Sequence, residues 1–244
     1  MKYVYVALFG HTTLADGSII SRHAGKDTAY SAMHGIISGG MGLPTYRLAF
    51  GDELKRELAD AMGVSIDWLE RHKDELRQLI MHWGTEFRRK FFGETYWIER
   101  ASANLARWCS RIDSTPGVAV VFFTDIRSQA EFDFFSRRVG EHITVRVNRV
   151  IKETRSELSS GKSHSSDAFG HTLPVTVTIN NLGTAQDLWE MAERAATNVI
   201  YPKLRAITPT NNEVEKQYTF FPTKREEPPA RATSGFIRAK TGLG

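Results

Sequence analysis

Runs of apolar and β-branched residues recur at wide intervals along the chain, at positions 3–9, 46–50, 118–123, 142–147 and 175–179. Several are apolar without strict alternation, the pattern of strands covered on both faces. Between them, apolar residues return with helical spacing over 52–62, 68–92, 94–112, 129–139 and 185–199. Strands alternating with helices predict an α/β three-layer domain on a mostly parallel sheet of about five strands. Ligands of such sheets sit at the carboxyl ends of the strands, so the loops that follow strands are where chemistry is expected. Residues 11–22 are an extra segment between the first strand and the first helix, and Asp16-Gly17 within it is suited to turn a β-hairpin.

The pattern reads as one domain over residues 1–222, followed by a basic, Pro- and Gly-containing tail at 223–244 that is expected to be poorly ordered. A polar, Ser- and Gly-rich stretch at 154–170 sits between two strands. No run approaches the ~20 apolar residues of a membrane span, and a lone cysteine, Cys109, builds no disulfide framework. A soluble protein of the cytoplasm is expected, with no membrane partner. The net charge of +4 invites a nucleic-acid reading, but its location argues against one. Five Lys/Arg and two Glu fall in 224–244, which leaves the body at +1. A nucleic-acid binder concentrates basic charge on its folded body.

Gly25-Lys26-Asp27-Thr28 precedes a helix-like stretch at 29–37. A glycine turn at a helix start exposes backbone N–H groups and the positive end of the helix dipole to phosphate. A lysine there reaches the β/γ-phosphates and a threonine hydroxyl reaches Mg²⁺. The strict phosphate-loop pattern is not met: Ile20 stands at its first glycine position, and the nearest glycine after the first strand is Gly10. The competing reading is an ordinary helix start. Asp125 and Arg127 follow the most apolar strand, with Glu131 four residues on, and Asp125 or Ser128 could also start the next helix. No histidine pair shows the i, i+4 spacing with a carboxylate of a zinc-protease helix.

Several segments in order resemble the phage-type deoxynucleoside monophosphate kinases, a branch of the P-loop nucleotide kinases. They are Gly25-Lys26-Asp27-Thr28, residues 48–55, Arg77, residues 83–89 and 92–97, the Asp125-x-Arg127-x-x-x-Glu131 element, 164–167 and 179–184. The resemblance covers about 25–200; the missing first glycine, the segment at 11–22 and the tail depart from it. It implies a P-loop kinase-like three-layer fold with a lid near 149–171, in which Arg149, Lys152 and Arg155 are basic. It implies transfer of the γ-phosphoryl of ATP, with Mg²⁺, to a deoxynucleoside 5′-monophosphate. Gly25, Lys26, Asp27 and Thr28 would hold the donor and its metal, with Lys26, Asp125 and Arg127 at the reacting groups. Lys55, Arg77, Gly84, Thr85, Arg89, Trp97, Asp125, Arg127 and Glu131 would face the acceptor. The alternatives are a nucleotide-binding protein with weak or no turnover, and a related kinase acting on a modified base in DNA. A homodimer is left open.

Overall fold

The computed structural model describes residues 1–20, 24–114, 116–154, 169–171 and 173–208. Most of the expected lid, including Arg155 and residues 164–167, and the whole tail at 223–244 lie outside the described residues.

The sheet is built from β1 (Lys2–Thr13), β2 (Ile19–Ile20), β3 (Thr45–Leu48), β4 (Val118–Phe123), β5 (Glu141–Val150) and β6 (Val177–Asn181). Its order is β3-β4-β1-β5-β6, all parallel, with β2 paired antiparallel to the end of β1. All six residues of β4 are buried, as its unbroken apolar run requires of a central parallel strand.

Alternate residues of the strands serve two cores. On one face Val4, Val6, Leu8, Val120, Phe122 and Val145 pack under α1 (Lys26–His34), and the C-terminal helices close the same core. On the other face Tyr5, Ala7, Phe9, Val121 and Phe123 meet the helices inserted between β3 and β4 and the one that follows β4. Those helices are α2 (Phe50–Met62), α5 (Tyr96–Ile112) and α6 (Gln129–Ser136), while α3 (Ile66–Arg71) and α4 (Arg77–Met81) pack against α2 in a smaller outer cluster around Leu58 and Leu69. The chain ends, as described, with α7 (Ala185–Ala195) and α8 (Tyr201–Ile207). Each fully buried Val or Phe contributes about 1.5–3 kcal/mol, so two complete faces suffice to fix the layers. This is the three-layer, mostly parallel α/β arrangement that the alternation of strands and helices predicts.

The boundaries differ from the sequence reading in three informative places. First, β1 does not stop at Phe9. It continues through Gly10, which pairs with Val147, and the hairpin at Asp16-Gly17 returns the chain as β2. Gly10 is therefore a strand residue with no loop to turn. Second, the apolar stretch at 46–50 is divided, because β3 ends at Leu48 and Phe50 opens α2. Third, the helical periodicity over 68–92 is interrupted between α3 and α4. Beyond Met81 it continues as a π-helical segment, His82–Arg89, and a last turn, Lys90–Phe92. The N-caps are as chemistry expects: Ser65 for α3, Ser128 for α6, and a reciprocal Thr184/Asp187 box for α7.

Candidate functional site

β1 and β4 are neighbours, yet the helices that follow them lie on opposite faces of the sheet. α1 covers one face and α6 the other. Their divergence opens a crevice at the carboxyl ends of the two strands, the place where open α/β sheets bind ligands. Lys26 arrives there from the β1 side and Asp125 and Arg127 from the β4 side. The Lys26 ammonium donates to the carbonyl of Thr124, the residue that immediately follows β4.

The start of α1 explains how the lysine is held. Gly25 occupies the N-cap position at φ 92°, in the left-handed region open to glycine. A Cβ there would press into Leu188 and lie 2.8 Å from the Asn181 amide nitrogen. Asn181, at the end of β6, itself donates to the carbonyl of Ala24 at 2.9 Å. The first helical bond of α1 is from Ala29 to Gly25, so the N–H groups of residues 26–28 precede the intrahelical ladder, and no side chain caps them. A helix start of this kind favours anions. Gly25→Ala is expected to lower stability by about 2–4 kcal/mol through the strained φ and the overpacking against α7. Thermal unfolding checks this, and an unchanged Tm would show that the turn is free to relax.

Electrostatics ties the crevice into one constellation. Burial lowers the Lys26 pKa below the ordinary lysine value. Asp125 and Asp27 act to raise it again, while Arg127 and Arg47 lower it further. The carboxylate of Asp125 accepts from the backbone N–H groups of Phe50 and Gly51, each at 2.7 Å, so it clasps the N-terminus of α2. Ser128, rather than Asp125, caps α6, which leaves Asp125 available for α2. The Arg127 side chain is exposed. Glu131 is 2% exposed, and both of its oxygens are engaged. One accepts from the Arg89 guanidinium at 2.7 Å and the other from the Arg127 N–H at 2.6 Å.

Burial raises the Glu131 pKa above the usual carboxylate value. The Arg127 N–H opposes that rise, Asp125 adds to it, and Arg89 and the Arg127 charge oppose it. A carboxyl raised in the folded state contributes stability that is complete below its unfolded pKa and is lost as pH rises through the folded one. Ionising Glu131 within the fold therefore works against stability as pH rises.

The remaining candidates separate. Arg89 turns to Glu131, whereas its neighbour Arg88 turns to Glu57 among the rings of Trp83, Phe87, Phe92 and Tyr96. Successive helical residues project in different directions, which the sequence spacing alone did not resolve. Lys55 is paired with Glu70 and, at 3.8 Å, with Asp52. Arg77 is exposed at the start of α4, and Thr85 is exposed on the π-helical segment. Thr28 is partly buried in the first turn of α1 and Asp27 is exposed.

Three candidates take a different place from the one expected: Glu131, whose burial removes it from direct contact with an acceptor, Trp97 and Gly84. Trp97 is 2% exposed and its indole N–H donates to the Gly84 carbonyl at 3.1 Å. A ring sealed from solvent offers no face to a base. Gly84 is buried because a side chain there would collide with Leu54 of α2, so its small size serves helix packing rather than approach of a ligand. Trp97→Phe is thus expected to lower Tm by about 2–6 °C, as one buried hydrogen bond is lost, without changing discrimination among ligand bases. A shift in base preference at unchanged Tm would return Trp97 to the ligand.

Three site residues were not singled out from sequence. Thr124 acts through its carbonyl, for which residue type gives no signal. Arg47, on β3, pairs with Asp52 at 2.7 Å and influences Lys26 through its charge. Asn181 secures the turn before Gly25; its position at a strand end ahead of a capping box was the available clue. Among the described residues no group of three or more His, Cys, Asp or Glu is placed to hold a metal. A cavity of about 240 Å³, lined by Met1, Tyr3, Gly140 and Ile207, opens instead at the amino ends of β1 and β5, away from all these residues.

Fold and site together define a three-layer α/β domain with a partly buried lysine at the start of a helix, facing an acid–arginine loop across a strand-order switch. No protein-family model and no curated protein matches the chain. Among solved structures, the chain is similar to the shikimate kinase from Aquifex aeolicus vf5. The match covers 81% of this chain and 98% of that one at 11% identity, with a TM-score of 0.36, too loose a likeness to carry a functional argument. No helix among the described residues is long and apolar enough to cross a membrane.

Proposed function

We propose that the protein is a phosphotransferase that moves the γ-phosphoryl group of Mg²⁺–ATP to a deoxynucleoside 5′-monophosphate. The observation that carries this reading is the meeting of Lys26 with the Thr124–Arg127 loop in the crevice between β1 and β4. Phosphoryl transfer needs alignment of donor and acceptor, and neutralisation of the charge spread over the transferring oxygens. The helix start at Gly25–Thr28 supplies N–H groups and a dipole for the donor's phosphates. Lys26, with its ammonium desolvated, acts more strongly on a phosphate than a solvated lysine would. Arg127 and Arg89 bring guanidinium groups whose planar forks suit the oxygens of an acceptor phosphate.

The residues present fit a magnesium ion that arrives with the nucleotide. Mg²⁺ is held largely by substrate phosphates and water, with one or two protein oxygens. The hydroxyl of Thr28 and the carboxylate of Asp125 are the groups that would supply them. The ion would draw charge from the β- and γ-oxygens.

Incubation with Mg²⁺–ATP and a panel of deoxynucleoside monophosphates, with ADP as the readout, tests the proposal. Acceptor-dependent ADP formation is expected for at least one base. Its absence across the panel would overturn the substrate assignment. One observation favours a second reading, a nucleotide-binding protein without turnover. β1 runs straight on through Gly10, so among the described residues the backbone offered to phosphates is that of the α1 start at Gly25. Binding of Mg²⁺–ATP with no ADP from any acceptor would select that reading.

A further inference from the structure

Glu131 is buried to 2% exposure, which removes it from direct contact with a ligand, yet it joins two pieces of chain that reach the crevice separately. Arg89 comes from the helical insertion between β3 and β4; Arg127 comes from the loop after β4. We propose that Glu131 is a positioning residue: it locks the Arg89 guanidinium to the backbone of the Arg127 loop, so that the Arg89 guanidinium is preset, beside that loop, for the phosphate of an acceptor. The inference rests on the phosphotransferase reading in taking the acceptor to carry a phosphate.

The chemistry of the contact is specific to a carboxylate. Two donors face Glu131 at 2.7 and 2.6 Å, one on each oxygen. Burying a charge merely to fill space is unfavourable, and an apolar side chain of similar volume would pack at lower cost. What the carboxylate adds is two acceptors in one rigid plane, with charge-assisted bonds that hold the arginine's fork in one orientation. A glutamine of the same shape has one acceptor and one donor, so it must oppose either the Arg89 guanidinium or the Arg127 N–H with an N–H of its own. Ser128 fixes the remaining freedom, since its hydroxyl accepts from the Glu131 N–H at 3.3 Å and starts α6 at this point. A preset arginine pays less ordering entropy when the phosphate arrives.

The test is a kinetic double-mutant cycle on the full chain. Glu131→Gln is expected to raise the acceptor KM roughly tenfold or more, with kcat within about threefold and the KM for Mg²⁺–ATP within about twofold. Arg89→Ala raises the acceptor KM as well. Adding Glu131→Gln to it should raise the KM by clearly less than Glu131→Gln does alone, because one of the two groups that Glu131 holds is already gone. Independent, multiplying losses would overturn the proposal, as would an unchanged acceptor KM in Glu131→Gln. Should Glu131→Gln fail to fold, Glu131→Asp decides. It keeps both acceptors but draws them back by one methylene, so it must show the same KM signature at smaller size.

A binding arm separates this inference from the reading it rests on. The wild type and Glu131→Gln are titrated calorimetrically with inorganic phosphate. Phosphate affinity that falls about tenfold in the variant, in a wild type that turns over no acceptor, would reject the kinase reading and uphold the role of Glu131. Phosphate binding that is indifferent to Glu131, or absent from the wild type, would overturn that role.

Discussion

Lys26→Ala is expected to lower kcat for phosphoryl transfer by about 10²–10³-fold, the usual loss when one preorganised electrostatic donor is removed from a desolvated site. The fold should survive. Burial already depresses the Lys26 pKa, so its ammonium is held against a desolvation cost and its removal relieves that cost. The loss on the other side is one hydrogen bond to the Thr124 carbonyl. The two terms oppose each other at about the same size, so Lys26→Met, which refills the volume, should melt within about 4 °C of the wild type. Paired measurement of kcat and Tm therefore separates catalysis from folding. Near-normal turnover would remove Lys26 from the reaction, and a collapsed Tm would make it a structural residue.

Asp125→Ala is expected to affect both quantities. The carboxylate accepts two backbone N–H bonds at the start of α2, where the helix dipole also favours a negative charge. Losing both should destabilise the protein by about 2–3 kcal/mol, which lowers Tm by about 4–12 °C at this size. Turnover should fall as well, since the Asp125 charge helps to sustain the Lys26 ammonium. Asp125→Asn retains one acceptor and loses the charge, so it should give about half the drop in Tm. The order Asp, Asn, Ala in Tm is the signature of the clasp. Equal melting of all three would show that α2 starts without it.

Much of this was legible in the residues themselves. The unbroken apolar run at 118–123 announced a central strand, and its position put Asp125 and Arg127 at a carboxyl edge. Asp16-Gly17 announced the hairpin, although not that it would extend β1 past Gly10. The glycine at 25 suggested a helix start but not its two constraints, a positive φ and contact with Leu188 from α7, which lies more than 160 positions along the chain. The expectation for Trp97 came from the resemblance, which carries over a position but not the burial that packing against Gly84 and Leu54 gives it. Arg88 and Arg89 are chemically equal in sequence. Only the phase of the π-helical segment on α2 sends one to Glu57 and the other to Glu131.

By itself, then, the sequence determined the layers: local periodicity, caps and continuous apolar runs fix strands and helices because those signals act over a few residues. Tertiary structure alone decided which charges meet. The Lys26–Thr124 contact spans 98 positions, the Asp125 clasp on Phe50 spans 75 and the Arg89–Glu131 pair spans 42. Such contacts depend on strand order and on the face each helix takes, and those follow from burying both sides of one sheet at once.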